Sequence, residues 1–491
     1  MRKLLFATIA VLALASVIAA QQANAVQTAA DALGAARIKT LQFTGSGKNF
    51  SVGQNYTAAE PWPPVPVKNY TALINYDTAS MRVELLREMG PVMPRGGGAP
   101  FFGEQRQIQL VSGNYAWNVA PAAGNAAPPP AQANPDGQLE RMLALWSTPQ
   151  GFVKAAMANK ATTKSASGGT EVSFTVGGKY KMTGIINAKG QVDKVTTWID
   201  HPIVGDMAVV TTFTGYKDFS GVMFPSRIVQ TQDGFPSLDL TISSVTANPA
   251  VNIDVPQNVR AFTPPAVRVD SMKMGDGVYY LTGGSHHSLV VEMKDHIVLA
   301  DLPNNVARAS AVLAKAKELV PNKPIRYVIT SHHHWDHLGG IRMAMNEGAT
   351  IVTHQSNKAF LERVDKTAHT INPDPLSTSK KGVKIETVGD KKVLTDGSRT
   401  IELHLLKGYE HTGDMLVIYL PKEKLLAEPD AFTPPPQAGT PLVRTAIPYA
   451  KTLYDNVQRL KLDVQVITPF HGNRTCDLAE LAKAAGSGSS D

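Results

Sequence analysis

The segment Ser331-His332-His333-His334-Trp335-Asp336-His337 decides how this chain is read. It follows directly on Ile325-Arg326-Tyr327-Val328-Ile329-Thr330, a β-branched, apolar run that predicts a buried strand. A turn at the end of a strand can aim several side chains at one point. His332 and His334 can converge on one metal ion while Asp336 and His337 turn to a second. Imidazole nitrogen and carboxylate oxygen are ligands that zinc and related cations take.

Outward from that segment the chain alternates strands and helices. Leu289 to Val291, Ile297 to Ala300 and Ala349 to Thr353 read as strands. Asn305 to Val320 reads as a helix, with Val306, Ala309, Leu313, Ala316 and Val320 along one stripe and Pro321 and Pro324 closing it. This grammar indicates α/β layering. It begins after Pro264-Pro265, a boundary signal.

Before that boundary the pattern is mostly β. Val172, Phe174 and Val176 alternate with polar residues, as do Leu238, Leu240 and Ile242 after the turn signal Asp233-Gly234. Similar runs lie at Thr40–Phe43, Tyr70–Leu85, Gln107–Trp117 and Val195–Phe213. One helix is expected from Pro135-Asp136, with Leu139, Met142, Leu143 and Trp146 on a face. The Gly- and Pro-rich stretches Gly90–Gly103 and Pro121–Pro135 are expected to be mobile surface loops.

In the second half, further elements follow in order. Glu410-His411-Thr412-Gly413-Asp414 brings another His. Lys424 to Glu428 reads as a strand ending at Pro429-Asp430, and Val464 to Thr468 as one ending at Pro469-Phe470-His471-Gly472. Asp301 follows Ile297-Val298-Leu299-Ala300. With H-x-H-x-D-H at 332–337, these five elements resemble the metallo-beta-lactamase superfamily over residues 266 to 480. The resemblance implies an α/β (α+β) αββα four-layer sandwich over residues 266–485, preceded by a mostly antiparallel β domain over residues 26–265. It implies that His332, His334 and His411 hold one metal, that Asp336, His337 and His471 hold a second, and that Asp430 bridges both. Asp336 also orients the nucleophile, and Asp301 organises the site. The first half resembles, more weakly, periplasmic lipoprotein-carrier proteins, through Tyr216-Lys217-Asp218-Phe219, Phe224-Pro225, Val245 and Asn248. It carries no evident chemistry and reads as a structural or substrate-shaping domain.

The ligand set takes His332, His334, His337, His411 and His471 from the 13 histidines. His333 is expected to point away, and His354 and His404 to be structural. His201, His296 and His369 read as surface or loop residues. His286 and His287, on a loop after Gly283-Gly284, are candidates for touching substrate. Trp335 either walls the cleft or packs beneath it, and Tyr409 is a candidate donor to an oxyanion. The single cysteine, Cys476, excludes an intramolecular disulfide and reads as structural.

Two divalent ions about 3.5–4 Å apart can share one water and lower its pKa to around 7. The expected activity is therefore a dinuclear hydrolase of an ester, lactone, thioester or amide. Asp430 stands where many true beta-lactamases carry Cys or Ser, and Ala431-Phe432-Thr433 follow where some place a drug-gripping Lys. Zinc is the expected ion, with iron or manganese as alternatives. A mononuclear iron oxidoreductase, persulfide-dioxygenase-like, and a non-catalytic periplasmic binding protein are the competing readings. The substrate is expected to be a small molecule. A net charge of +7 comes from scattered Lys and Arg without a basic run, which argues against nucleic acid. Arg2-Lys3, the apolar run Leu4–Ala20 and Ala23-Asn24-Ala25 read as a signal peptide over residues 1–25, so a periplasmic or secreted protein is expected, with no later transmembrane segment. Residues 486–491 read as a flexible tail.

Overall fold

The computed structural model describes residues 25–90, 94–98, 101–122, 127–379, 381–442, 446–472 and 474–486. The expected signal peptide lies outside the described residues except for Ala25, which is helical with the residues up to 32, and residues 487–491 of the expected tail also lie outside.

Alternating apolar and polar residues build the first half into a sheet with one buried face. It has 13 strands between Thr40 and Ala247, and Thr40–Phe50 pairs with Phe235–Ala247 at its centre. The paired strands run antiparallel, as in Leu41 opposite Ala247 and Thr40 opposite Asn75. Several long runs resolve into hairpins. Tyr70–Leu85 spans the strands Pro64–Asn75 and Ser80–Met89, because the Asn75 side chain accepts from the Asp77 and Thr78 backbone N–H groups and turns the chain. Val195–Phe213 likewise splits into Val192–His201 and Gly205–Asp218.

Among the described residues two α-helices, not one, interrupt the sheet. Gln138–Trp146 follows a short 3-10 turn, and Pro149–Ala158 is the second. Thr148 caps it by accepting from Gly151 N–H, and Pro149 sits at its first turn, a start signal that the apolar pattern alone did not reveal. Its buried Phe152 presses on Gly184, where any Cβ would meet the ring.

The second half is a mixed α/β sandwich, as the resemblance implies. A 7-stranded sheet spans Asp270 to Val388, and a 5-stranded sheet spans Lys391 to Pro469. Val278, Leu289, Val298, Ile418 and Leu425 join in an apolar layer formed by residues of both sheets. Outside one sheet lie helices Val306–Leu319 and Ile341–Glu347; outside the other lie Ile447–Leu460 and Leu478–Ala484. Ile297–Ala300, Ile325–Ile329 and Thr350–His354 run parallel, and Leu425–Glu428 runs parallel to Val466–Pro469. Asp301, His332, Asp430 and His471 all follow C-terminal ends of these strands. Among the described residues no helix is long and apolar enough to cross a membrane.

Candidate metal centre

Each expected ligand leaves its strand on a short connection, and the connections meet at one point. His332 and His334 are fully buried and His411 is 5% exposed. His334 Nδ1 lies 3.1 Å from His411 Nε2, and the His332 and His334 rings are 4.6 Å apart. On the other side, His337 Nε2 lies 3.1 Å from His471 Nε2.

The Asp430 carboxylate divides between the two groups. Its Oδ2 lies 3.0 Å from His332 Nε2 and 3.2 Å from His411 Nε2. Its Oδ1 lies 3.2 Å from His337 Nε2 and 2.7 Å from His471 Nε2. One side chain thus faces both clusters.

The chemistry of these groups fits metal ions. His332, His334, His411 and Asp430 place their ligand atoms within 4.8 Å of one another, and so do His286, Asp336, His337 and His471. Apart from its 3.0 Å approach to Asp430 Oδ2, the buried His332 Nε2 makes no hydrogen bond, which leaves its lone pair for another partner. Burial holds the His332 and His334 imidazoles below their usual range, and hence neutral and able to ligate. Burial acts the same way on His337, but the Asp430, Asp301 and Asp336 carboxylates outweigh it and hold that ring well above its usual range. Against burial, His337, His471 and His332 hold Asp430 well below the carboxylate range. The surplus carboxylate charge favours a cation here.

Outer partners fix the rings. Asp301, fully buried and at φ +55°, accepts from Ser331 N–H and Ser331 Oγ–H and pairs with His337 Nδ1 at 2.8 Å. This leaves His337 Nε2 facing the cluster, the arrangement in which metal-ligating histidines are oriented.

Residues 281–471 match the model of the metallo-beta-lactamase superfamily. The second half is a metallo-beta-lactamase-superfamily domain. Similar solved structures include a metallo-beta-lactamase from Pontibacter korlensis, at 19% identity over 45% of this chain and 98% of that one with a TM-score of 0.35. Others are the DIM-1 metallo-beta-lactamase, at 20% identity over 44% and 95% with a TM-score of 0.34, and the metallo-beta-lactamase FIM-1 from Pseudomonas aeruginosa in its mono-zinc form, at 18% over 46% and 96% with a TM-score of 0.36. No curated protein matches the chain at a significant level.

The metallo-beta-lactamase domain does not build its site alone, although no residue of the first half carried evident chemistry in the sequence. A loop of the β-rich half reaches the ligands. His334 Nε2 donates to Asn55 O at 2.8 Å, and Gln54 Nε2 donates to Asp336 Oδ1 at 2.9 Å. Gly413 N–H donates to Tyr56 O at 2.9 Å. Nothing in the local sequence marks Gln54 or Asn55, because the contacts exist only once the two halves pack. The described part of the expected mobile loop is also tied down: Gly96 N–H donates to Glu410 O and Gly97 N–H to Gln54 O, each at 2.7 Å.

Trp335 belongs to that junction. Its ring packs edge-on to Trp62 and against His201, at centroid distances of 5.4 and 4.2 Å. His201 is therefore half-buried, not a free surface residue, and His296 and His369 are each only 5% exposed. His333 turns away from the clusters, between Asp414 Oδ1 at 2.9 Å and Asn55 Oδ1 at 3.1 Å. His354 and His404 pair locally with Ser356 and Glu402. His287 Nε2 lies 2.5 Å from Gly472 O, whereas His286 faces the second cluster. The expectation that Tyr409 offers its hydroxyl to an oxyanion is corrected: that hydroxyl is buried and donates to Asp430 O at 2.8 Å.

A cavity of about 610 Å³ opens beside the clusters. Asp336, His411, Asp430 and His471 line its polar end; Phe432, Pro434, Pro441, Leu442 and Tyr449 line the rest, and Gln54 and Gly98 of the first half close it. A larger cavity of about 1090 Å³ lies at the junction near Trp335, but Asp336 is the one member of the metal clusters that it reaches.

Proposed function

We propose that the protein is a dinuclear metal-dependent hydrolase that cleaves an ester, lactone, thioester or amide bond. Superfamily membership and the two His/Asp clusters support a metal-dependent hydrolase in general. The division of the Asp430 carboxylate between the clusters carries the dinuclear reading. His332, His334 and His411 would hold one ion, Asp336, His337 and His471 the other, and Asp430 faces both groups. Five imidazoles with carboxylates suit zinc.

When bound, two such ions supply an acidified water and polarise the scissile oxygen. The chain's own residues do the rest. Asp336, charged and held by Gln54, orients the attacking water. The buried imidazoles exclude bulk solvent. The apolar wall of Phe432, Pro434, Pro441 and Leu442 takes an acyl or ring portion of the substrate and presents its carbonyl to the clusters. Export to the periplasm or medium is part of the proposal and rests on the pattern of residues 2–25.

The test combines elemental analysis of the mature protein with a panel of chromogenic esters, lactones, thioesters, phosphodiesters and a cephalosporin. Two zinc ions per chain and turnover that His334→Ala and Asp430→Ala abolish are expected. One iron without hydrolysis, or no metal, overturns the proposal.

A further inference from the structure

His286 was not among the ligands that the superfamily pattern implies, yet it stands in the second cluster. We propose that His286 is a further protein ligand in the second metal site, beside Asp336, His337, His471 and the shared Asp430. The inference rests on the dinuclear reading above.

The backbone delivers His286 to that position. Gly283, at φ +93° with Arg268 O where a Cβ would lie, turns the chain after the strand Val278–Thr282. Arg308 on helix Val306–Leu319 then clamps the turn, donating to Arg268 O, Thr282 O and His286 O at 2.5, 3.0 and 3.2 Å. His287 N–H donates to Phe470 O at 2.9 Å, and His286 bridges to His471 in an antiparallel pair. Two chain segments are thus locked side by side. Their imidazoles stand with centroids 4.0 Å apart, and the His286 ring is 5.1 Å from that of His337.

The ring orientation matches that of a ligand. His286 Nδ1 is 2.8 Å from Ser285 Oγ, which Asn304 Nδ2 supports at 3.4 Å. With the proton on Nδ1, Nε2 presents a lone pair to the cluster, as His337 does through Asp301. His286 Nε2 lies 3.2 Å from Asp336 Oδ2, the oxygen that Gln54 leaves free.

The consequence is an asymmetric pair of sites. Five protein groups, the shared Asp430 included, would then face the second ion and fill it more completely than the first, as in metal sites that hold rather than react. The first ion, faced by three imidazoles and the other Asp430 oxygen, would be the one left to take substrate.

The competing role is a hydrogen bond from His286 to Asp336. Stepwise zinc affinities, by competition with a chelator, and cobalt absorption spectra separate the two in the wild type, His286→Ala and His286→Gln. Loss of outer partners alone weakens metal by ~10–100-fold, so loss of a direct ligand is expected to weaken the second zinc by at least ~10-fold. The first zinc should be unchanged in both variants, and the cobalt spectrum should change only on the second equivalent. Glutamine keeps a donor toward Asp336 but ligates zinc poorly. Wild-type affinity in either variant overturns the inference while leaving the dinuclear reading intact. A wild type that takes fewer than two ions overturns both.

Discussion

Gly53→Ala tests whether the β-rich half is part of the metal centre. Gly53 sits at φ +75°, and a Cβ there would lie 2.7–2.8 Å from three atoms of the Trp335 ring. The left-handed backbone costs about 1–2 kcal/mol with a side chain, and overpacking adds about 1–3 kcal/mol, so the strain is about 2–5 kcal/mol. The contacts that hold the loop to the ligands are Trp335 N–H to Gly53 O, His334 Nε2 to Asn55 O and Gln54 Nε2 to Asp336 Oδ1. At about 0.5–1.5 kcal/mol each they total about 1.5–4.5 kcal/mol, so strain and grip are comparable and the loop shifts. The shift removes outer partners of His334 and Asp336 and should weaken zinc by ~10–100-fold. Zinc affinity is read by chelator competition, with Gly177→Ala as the control. Gly177 has φ +58° and nothing within 4 Å, so it carries backbone strain without a contact. Wild-type zinc affinity in Gly53→Ala would refute the argument that the loop positions the ligands.

Asp301→Ala strips His337 Nδ1 and Ser331 of a fully buried acceptor, so a stability loss of about 1–3 kcal/mol for each orphaned group is expected, with weaker second-site zinc; a melting temperature equal to wild type would show that Asp301 organises nothing. Burial pushes His201 down to about 4, and its ring Nδ1 accepts from Ile203 and Val204 N–H. A depressed folded value means stability is present above the unfolded value near 6.5 and is lost as pH falls from there through about 4, by an amount of up to ~3 kcal/mol. Denaturant titrations of the wild type and His201→Gln across that range should show a shallower slope in the variant, and parallel profiles would contradict the assignment. Tyr409→Phe loses one hydrogen bond to the Asp430 carbonyl and should cost about 0.5–1.5 kcal/mol in stability with kcat little changed. A kcat loss of ~100-fold would return that hydroxyl to oxyanion stabilisation.

The residues proposed as metal ligands were legible because they are local. Strand, turn and ligand are neighbours in sequence at His332–His337, Asp430 and His471, so residue type and spacing carry the chemistry. The layered α/β half was legible for the same reason, since helix Val306–Leu319 writes its buried stripe into its own residues. The second helix of the first half was not, because its start depends on the Thr148 cap and its burial on a glycine at position 184. Hairpins such as Asn75–Ser80 were also hidden inside longer apolar runs, where a single side chain turns the backbone.

The amino-acid order by itself therefore determined the superfamily resemblance and the α/β character of the second half, and it named the residues proposed as ligands. Tertiary packing alone decided which distant residues stand beside them. Gln54 and Asp336 are separated by 282 positions and His286 and His471 by 185, and each pair meets only because sheets and domains bury apolar faces against one another. Periodicity and motif spacing record what a residue does with its near neighbours. A hydrogen bond between distant segments leaves no such record, because its energy is small beside the burial that brings the segments together.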